Sequence, residues 1–149
     1  MFSHQRILVI FLRLFGGVTV LAFLAMLLPV EWMASTHRWL GLGEFPRAPI
    51  VDYLARSVSS LYGFHGVLVL LVSRDVVRYR SIVLYLGWMY ILAGVFAVVI
   101  DLYAPLPWYW TAVEGPSTLI SGAVILYLMR GLRAQASGIR AGPGPRPES

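Results

Sequence analysis

Four stretches of this sequence, 14–30, 57–73, 81–100 and 115–129, run without a single charged residue, and each is closed by arginine or an acid. A bilayer's hydrocarbon core is about 30 Å thick and takes roughly 20 residues of α-helix to cross. Inside it, every backbone amide has to find its partner within the chain, so a stretch of this kind reads as a helix. The chain is 149 residues long, 58% hydrophobic and only 13% charged, whereas a soluble domain carries about 25% charged residues. A water-soluble globule is thereby excluded. The pattern predicts an all-α fold, an integral membrane four-helix bundle.

With their flanks, the spans are expected at about 7–30, 50–73, 81–101 and 108–130, inside one transmembrane domain over 1–133. The first span reaches back past Arg13, whose long side chain snorkels to the headgroups. The second includes Asp52 and Arg56 at headgroup level, and the fourth borrows the aromatic stretch 108–113 to reach sufficient length. The start of the chain also has the look of a signal peptide. Arg13 interrupts the apolar run, however, the run continues to Val30, and no small-x-small site precedes Glu31, which favours a retained anchor. Glycine and proline spacing in 134–149 predicts a disordered cytoplasmic tail.

All 12 basic residues are arginine. Nine of them (Arg6, Arg13, Arg74, Arg78, Arg80, Arg130, Arg133, Arg140 and Arg146) fall on one side of the predicted bundle, against Arg38, Arg47 and Arg56 on the other. The positive-inside rule then puts both termini in the cytoplasm. The opposite side is net acidic and aromatic. Helical spacing of Trp32, Met33, Thr36 and Leu40 predicts a short interfacial helix over 31–40 between the first two spans, stopped at Gly41. Trp32 and Trp39 are its anchors, and Trp108 and Trp110 anchor the second connection on that side. The formal charge of +5 is spread over membrane loops rather than gathered in a groove with aromatics, so no nucleic-acid partner is expected. The expected partners are the lipid bilayer and, within it, a membrane-protein partner or a second copy of the chain.

Cysteine and lysine are both absent, which removes thiolate metal ligands, cysteine nucleophiles, dithiol chemistry and lysine Schiff bases. Ionisable groups inside a membrane are costly and become candidates for function. Asp52 and Arg56 stand four apart with the acid first, the order that pairs along a helix. They read either as a structural ion pair or, with Asp101 and Glu114, as an external polar cluster for an ion, a headgroup or a partner loop. Glu114 precedes Pro116, where a missing amide loosens the helix, and reads either as a cap on the helix start or as a proton or ligand site.

His65 lies deep in the second span. A haem needs two axial ligands and would have to recruit Met89 or a second copy, so the expectation is a neutral imidazole bonded to a neighbouring hydroxyl, with no cofactor and no metal. Arg13, His65, Tyr85 and Tyr127, with Trp88, share a depth and are either a small intramembrane polar pocket or unrelated side chains. Ser59, Gly63 and Gly66, and Ala93 with Ala97, carry the small-residue spacing of close helix contacts, and Gly16 and Gly17 are of the same kind.

The segment HRWLGLGEFPRAPIVDYLARS at 37–57, followed by Tyr62 and Gly66, a short arginine turn and EGP at 114–116, resembles a group of small, functionally uncharacterised four-span bacterial inner-membrane proteins over about 7–131. The layout also resembles that of the DoxX-like four-helix proteins. The resemblance implies a fold and an inner-membrane address, and no catalytic residue. The functional expectation is a non-enzymatic accessory or interaction subunit. The alternative is a small oligomeric transporter or channel with an acidic outer vestibule. An enzyme acting on lipid or quinone through His65 and nearby tyrosines is a third reading, weakened because no nucleophile, base and orienting group assemble by spacing.

Overall fold

The computed structural model describes residues 3–104 and 106–140. Among these it is entirely helical outside its turns: α1 (His4–Val20), α2 (Ala22–Leu27), α3 (Val30–Trp39), α4 (Pro49–Val72), α5 (Arg80–Tyr103) and α6 (Trp108–Arg140). Four helical segments are long and apolar enough to cross a membrane, His4–Leu27, Pro49–Val72, Arg80–Tyr103 and Trp108–Leu132. The chain is a four-helix bundle compatible with a multi-pass membrane protein.

Local chemistry sets the boundaries. Ser3 caps α1 by accepting from the Arg6 amide, and Pro29 ends the first crossing, since it supplies no amide to a continuing helix. The first span therefore closes at Leu27 rather than near residue 30. α3 follows directly, with Pro29 at its N-cap, and matches the short helix expected over 31–40. It ends as its sequence requires. Gly41 adopts φ +71°, its amide donates to Arg38 O at 2.9 Å, and the Leu42 amide donates to His37 O at 3.1 Å. This is the Schellman closure that glycine makes without steric cost. Pro49 opens α4, where its lost amide is harmless. At the other end of the molecule α6 runs on to Arg140 and takes in the first seven residues of the expected tail, 134–140. Ala, Gln and Arg dominate 133–140, and no proline intervenes before Pro143, so helix propensity outweighs the lone Gly138. The rest of the expected tail, 141–149, lies outside the described residues.

The helices pack as two intimate pairs. A Cβ added at Gly66 would stand 2.8 Å from the Gly16 carbonyl oxygen and 2.6 Å from the Val20 amide nitrogen, and one at Gly63 would meet the Phe23 ring at 2.6 Å. Numbers rising along the first span meet numbers falling along α4, so the two are antiparallel. In the other pair, a Cβ on Gly122 would meet Gly87 O at 2.6 Å, and one on Gly94 would meet Gly115 O at 2.8 Å. The small-residue face of α5 is thus Gly87 and Gly94, seven apart, rather than Ala93 and Ala97. α1 lies between α4 and α6 and joins the pairs.

The buried core sits at the arginine-rich end. Leu8 and Leu12, Val69 and Val72, Val76 in the turn, Val83, Leu86 and Tyr90, and Ile125, Leu128 and Met129 form one cluster. These come from the first half of α1, the last turns of α4, the first half of α5 and the second half of α6, which requires all four to alternate in direction. Towards the aromatic end the bundle opens.

This packing yields a stability prediction. Gly66→Ala forces a methyl onto backbone atoms of the first span, and overpacking of this kind costs about 1–3 kcal/mol. Gly17 has open space at its Cβ position. Thermal unfolding in detergent, followed by circular dichroism, is expected to show a lower midpoint for Gly66→Ala and an unchanged or raised one for Gly17→Ala, where alanine gains helix propensity without a clash.

Candidate functional site

Arg56 is the hub of the polar groups at the aromatic end. Its Nε sits 2.9 and 3.1 Å from the two carboxylate oxygens of Asp52, and both side chains are about one-third exposed. The i,i+4 spacing foretold this pair. Its third contact was not foretold: Arg56 Nη1 donates to the carbonyl oxygen of Met26 at 2.6 Å. Met26 lies in the last turn of α2, where carbonyls have no helical partner. A guanidinium is suited to that position, because it faces the negative end of a helix and still spares a nitrogen for the carboxylate. Ser60 closes the group, its hydroxyl donating to Arg56 O at 2.8 Å.

Asp101 and Glu114 do not join them. No ion pair among the described residues links Arg56 to either. Glu114 lies in the second turn of α6, so it does not cap the helix start. Its carboxylate accepts from the indole nitrogen of Trp110, and its backbone carbonyl accepts from Ser117 at 3.0 Å and Thr118 at 2.9 Å. These hydroxyls gather beside Pro116, whose missing amide leaves the carbonyl of Ala112 without its helical donor. Asp101 is 6% exposed, and its Oδ2 has no hydrogen-bond partner among the described residues. The expected outer cluster is thus one bonded pair and two separate acids. α4 packs against the first span while α5 packs against α6, which keeps the acids of α5 and α6 from reaching Arg56.

The other expected polar set is dispersed as well. Tyr85, Trp88 and Tyr127 are exposed on the apolar surface, and Arg13 is exposed on α1. His4 and Tyr127 are in ring contact, 6.3 Å between centroids. His65 alone faces inward, with its Nε2 2.6 Å from the hydroxyl of Tyr90 on α5. The rings meet edge-on, 5.6 Å apart at 80°. The neighbouring hydroxyl foreseen for His65 is this phenol. Tyr90 escaped notice because depth along a helix does not tell which face a side chain occupies; it lies four residues after Leu86 and seven after Val83, on the buried stripe of α5.

Above this pair, towards the aromatic end, is a cavity of about 540 Å³. Phe15 and Thr19 of α1 and Thr118 of α6 form its back wall. Val58, Leu61, Tyr62 and His65 of α4, with Met89, Tyr90 and Ala93 of α5, form its sides. Among the described residues no three His, Asp or Glu side chains converge as a metal ion would need.

The anchors expected at this end are present and outward. Trp32, Trp39 and Trp108 are exposed, whereas Trp110 is half-buried and spends its N–H on Glu114. Tyr109, not singled out as a contact residue, donates its hydroxyl to Leu40 O at the C-terminus of α3. A Cβ on Gly41 would stand 2.6 Å from that hydroxyl. Only glycine serves here on two counts, the positive φ and the closeness of the phenol. Comparison of the chain with protein-family models, curated proteins and solved structures gave no match.

Two substitutions separate the acids by role. Asp52→Asn leaves Arg56 without its counter-charge, and removing one partner of a charged hydrogen bond costs about 1.5–3 kcal/mol. Asp101→Asn removes a buried oxygen that has no donor and replaces it with a neutral group. In the same detergent melts, Asp52→Asn is expected to lower the midpoint and Asp101→Asn to hold or raise it.

Proposed function

We propose that this chain is a non-enzymatic interaction subunit of a membrane assembly, seated in the bacterial inner membrane with both termini cytoplasmic and its aromatic end outside. The observation that carries the reading is how α3 is held. A ten-residue helix between two spans needs no fixed position if it serves only as a tether. Here its C-terminus is tied to α6 through Tyr109 and Leu40, and Arg56 secures the carbonyl just ahead of it. The result is a rigid shelf whose Trp32 and Trp39 are 64% and 84% exposed. Exposed, pre-positioned aromatics are the side chains that dominate protein–protein contacts, since little entropy is lost on ordering them. Glu31 adds negative charge to the same helix, while Glu44 is paired with Arg38 at 3.8 Å. The orientation rests on the nine-to-three arginine asymmetry of the sequence, and the inner-membrane address on the resemblance to small four-span bacterial membrane proteins.

Topology can be tested cleanly because the chain has no native cysteine. In intact spheroplasts, an impermeant maleimide is expected to label Ser35→Cys and to spare Arg78→Cys until the membrane is opened. The reverse pattern would overturn the orientation.

The role is tested by isolating the tagged chain in mild detergent from its native membrane. A stoichiometric protein companion is expected with the wild type. It is expected to be lost from the Trp32→Ala, Trp39→Ala double variant and weakened about tenfold by Tyr109→Phe, which removes the hydrogen bond that holds the end of α3 in place. If the tryptophans serve only as lipid anchors, recovery of any companion will be unchanged. Solute flux by the purified chain in liposomes, lost on Glu114→Gln, would instead favour a transporter.

A further inference from the structure

The cavity between the helix pairs is lined almost wholly by hydrocarbon, and its polar groups can be accounted for one by one. The Thr19 hydroxyl donates to Phe15 O at 2.8 Å and the Thr118 hydroxyl to Glu114 O at 2.9 Å. Both are spent on their own helices and offer no hydrogen to the cavity. His65 and Tyr90 differ. A neutral imidazole carries one N–H and a phenol one O–H, two hydrogens between them. The single 2.6 Å bond joining the rings uses one. If Tyr90 donates to Nε2, the second hydrogen sits on Nδ1 of His65. If Nε2 donates instead, it sits on the Tyr90 oxygen. In either tautomer the pair holds one unspent donor, and no acceptor for it is found among the described residues.

A donor left unbonded in apolar surroundings costs about 1–3 kcal/mol, and that cost disappears when a ligand supplies an oxygen. Three features define such a ligand. The walls carry no charged side chain, so a phosphate or carboxylate would enter without a counter-ion. The surplus at the pair is a donor, so the ligand brings an acceptor. The helices flanking the mouth, α4 and α5, belong to different packing pairs, and Leu61 and Tyr62 beside it are exposed. Entry is therefore lateral, from lipid. A volume of about 540 Å³ falls within the roughly 300–1,000 Å³ usual for small-molecule sites.

We infer that this cavity is a binding site for an uncharged, long-chain membrane molecule whose carbonyl oxygen accepts a hydrogen bond from the His65–Tyr90 pair, its chain leaving between α4 and α5. Two membrane sources carry that chemistry, the ester of a diacyl lipid and the ring carbonyl of a prenyl quinone. The inference stands on the cavity alone and is independent of the interaction role assigned to the aromatic end.

The test is thermal unfolding of the full-length, delipidated protein in detergent, titrated with three probes: decylubiquinone, a dioleoylglycerol, and hexadecane as a chain without an acceptor. A ligand that binds only the folded state raises the midpoint with concentration. At least one carbonyl probe is expected to raise it and hexadecane is not. The active probe identifies the source, and activity of both would mean that the carbonyl alone is read. Tyr90→Phe alone still leaves His65 one unspent N–H, so the variant that tests the pair is His65→Phe with Tyr90→Phe, which removes both hydrogens and is expected to weaken the active probe about tenfold. Ala93→Phe, which keeps both hydrogens of the pair and fills the cavity from its α5 wall, is expected to abolish the shift, and Tyr127→Phe on the outer surface is expected to leave it unchanged. Silence of both carbonyl probes overturns the inference. So does an equal response to hexadecane, or a full response from Ala93→Phe, which stays informative if the double variant fails to fold.

Discussion

Contact between glycine backbones within two helix pairs determines the rest of this molecule. Lipid gives apolar side chains no reason to leave it for one another, so helices in a membrane adhere where their backbones can come close. Gly16 against Gly66 fixes the first span to α4, and Gly87 with Gly122 and Gly94 with Gly115 fix α5 to α6. Each contact excludes even a methyl group. Because the glycines of α4 face α1 and those of α5 face α6, neither helix keeps a small-residue face for the other. The two pairs meet through larger side chains, Leu8, Leu12, Val69, Leu86 and Ile125 among them, and only at the arginine-rich end do these fill the space between them. The opening at the aromatic end follows from where the glycines are.

The same division governs the polar groups. A guanidinium at the open end has more to satisfy than a carboxylate, because the first crossing stops at Leu27 and leaves carbonyls without helical partners. Arg56 serves both demands at once, with Asp52 on one nitrogen and Met26 on another. On the other pair, Tyr109 does for the end of α3 what Arg56 does for the end of α2. Unpaired helix ends are thus bonded by side chains from a neighbouring span, and the short helix between them is held from two directions.

Much of this was legible in the sequence and some was not, for reasons that lie in particular residues. Charge-free length locates the four spans, since no other structure satisfies so much backbone in lipid. The i,i+4 order of Asp52 and Arg56 foretells their pair, and Gly41 foretells the end of α3, because both are local. The rest depends on which helix faces which. His65 and Tyr90 are 25 residues apart and meet across the bundle, and nothing in either residue's neighbourhood names the other. The grouping of Asp101 and Glu114 with Arg56 went wrong for the same reason: equal depth in the membrane was treated as proximity. Ala93 and Ala97 satisfy a small-xxx-small spacing as well as Gly87 and Gly94 satisfy a heptad one, and only packing selects between them.

Ala93 then acquires a different meaning. One residue from Gly94, it points about 100° away around the helix, out of the α5–α6 contact and into the wall of the cavity. A larger side chain there would close the mouth, while one at Gly94 would part the helices. Adjacent small residues on α5 thus serve opposite ends, one letting two backbones touch and the other keeping a space open. The His65–Tyr90 bond lies at the boundary between the two regimes. Below it the bundle is filled by Leu86, Ile125 and Val69, and above it the filling stops although all four helices continue. A hydrogen bond joins α4 to α5 just where their packing gives out, and both of its residues line the apolar cavity above it.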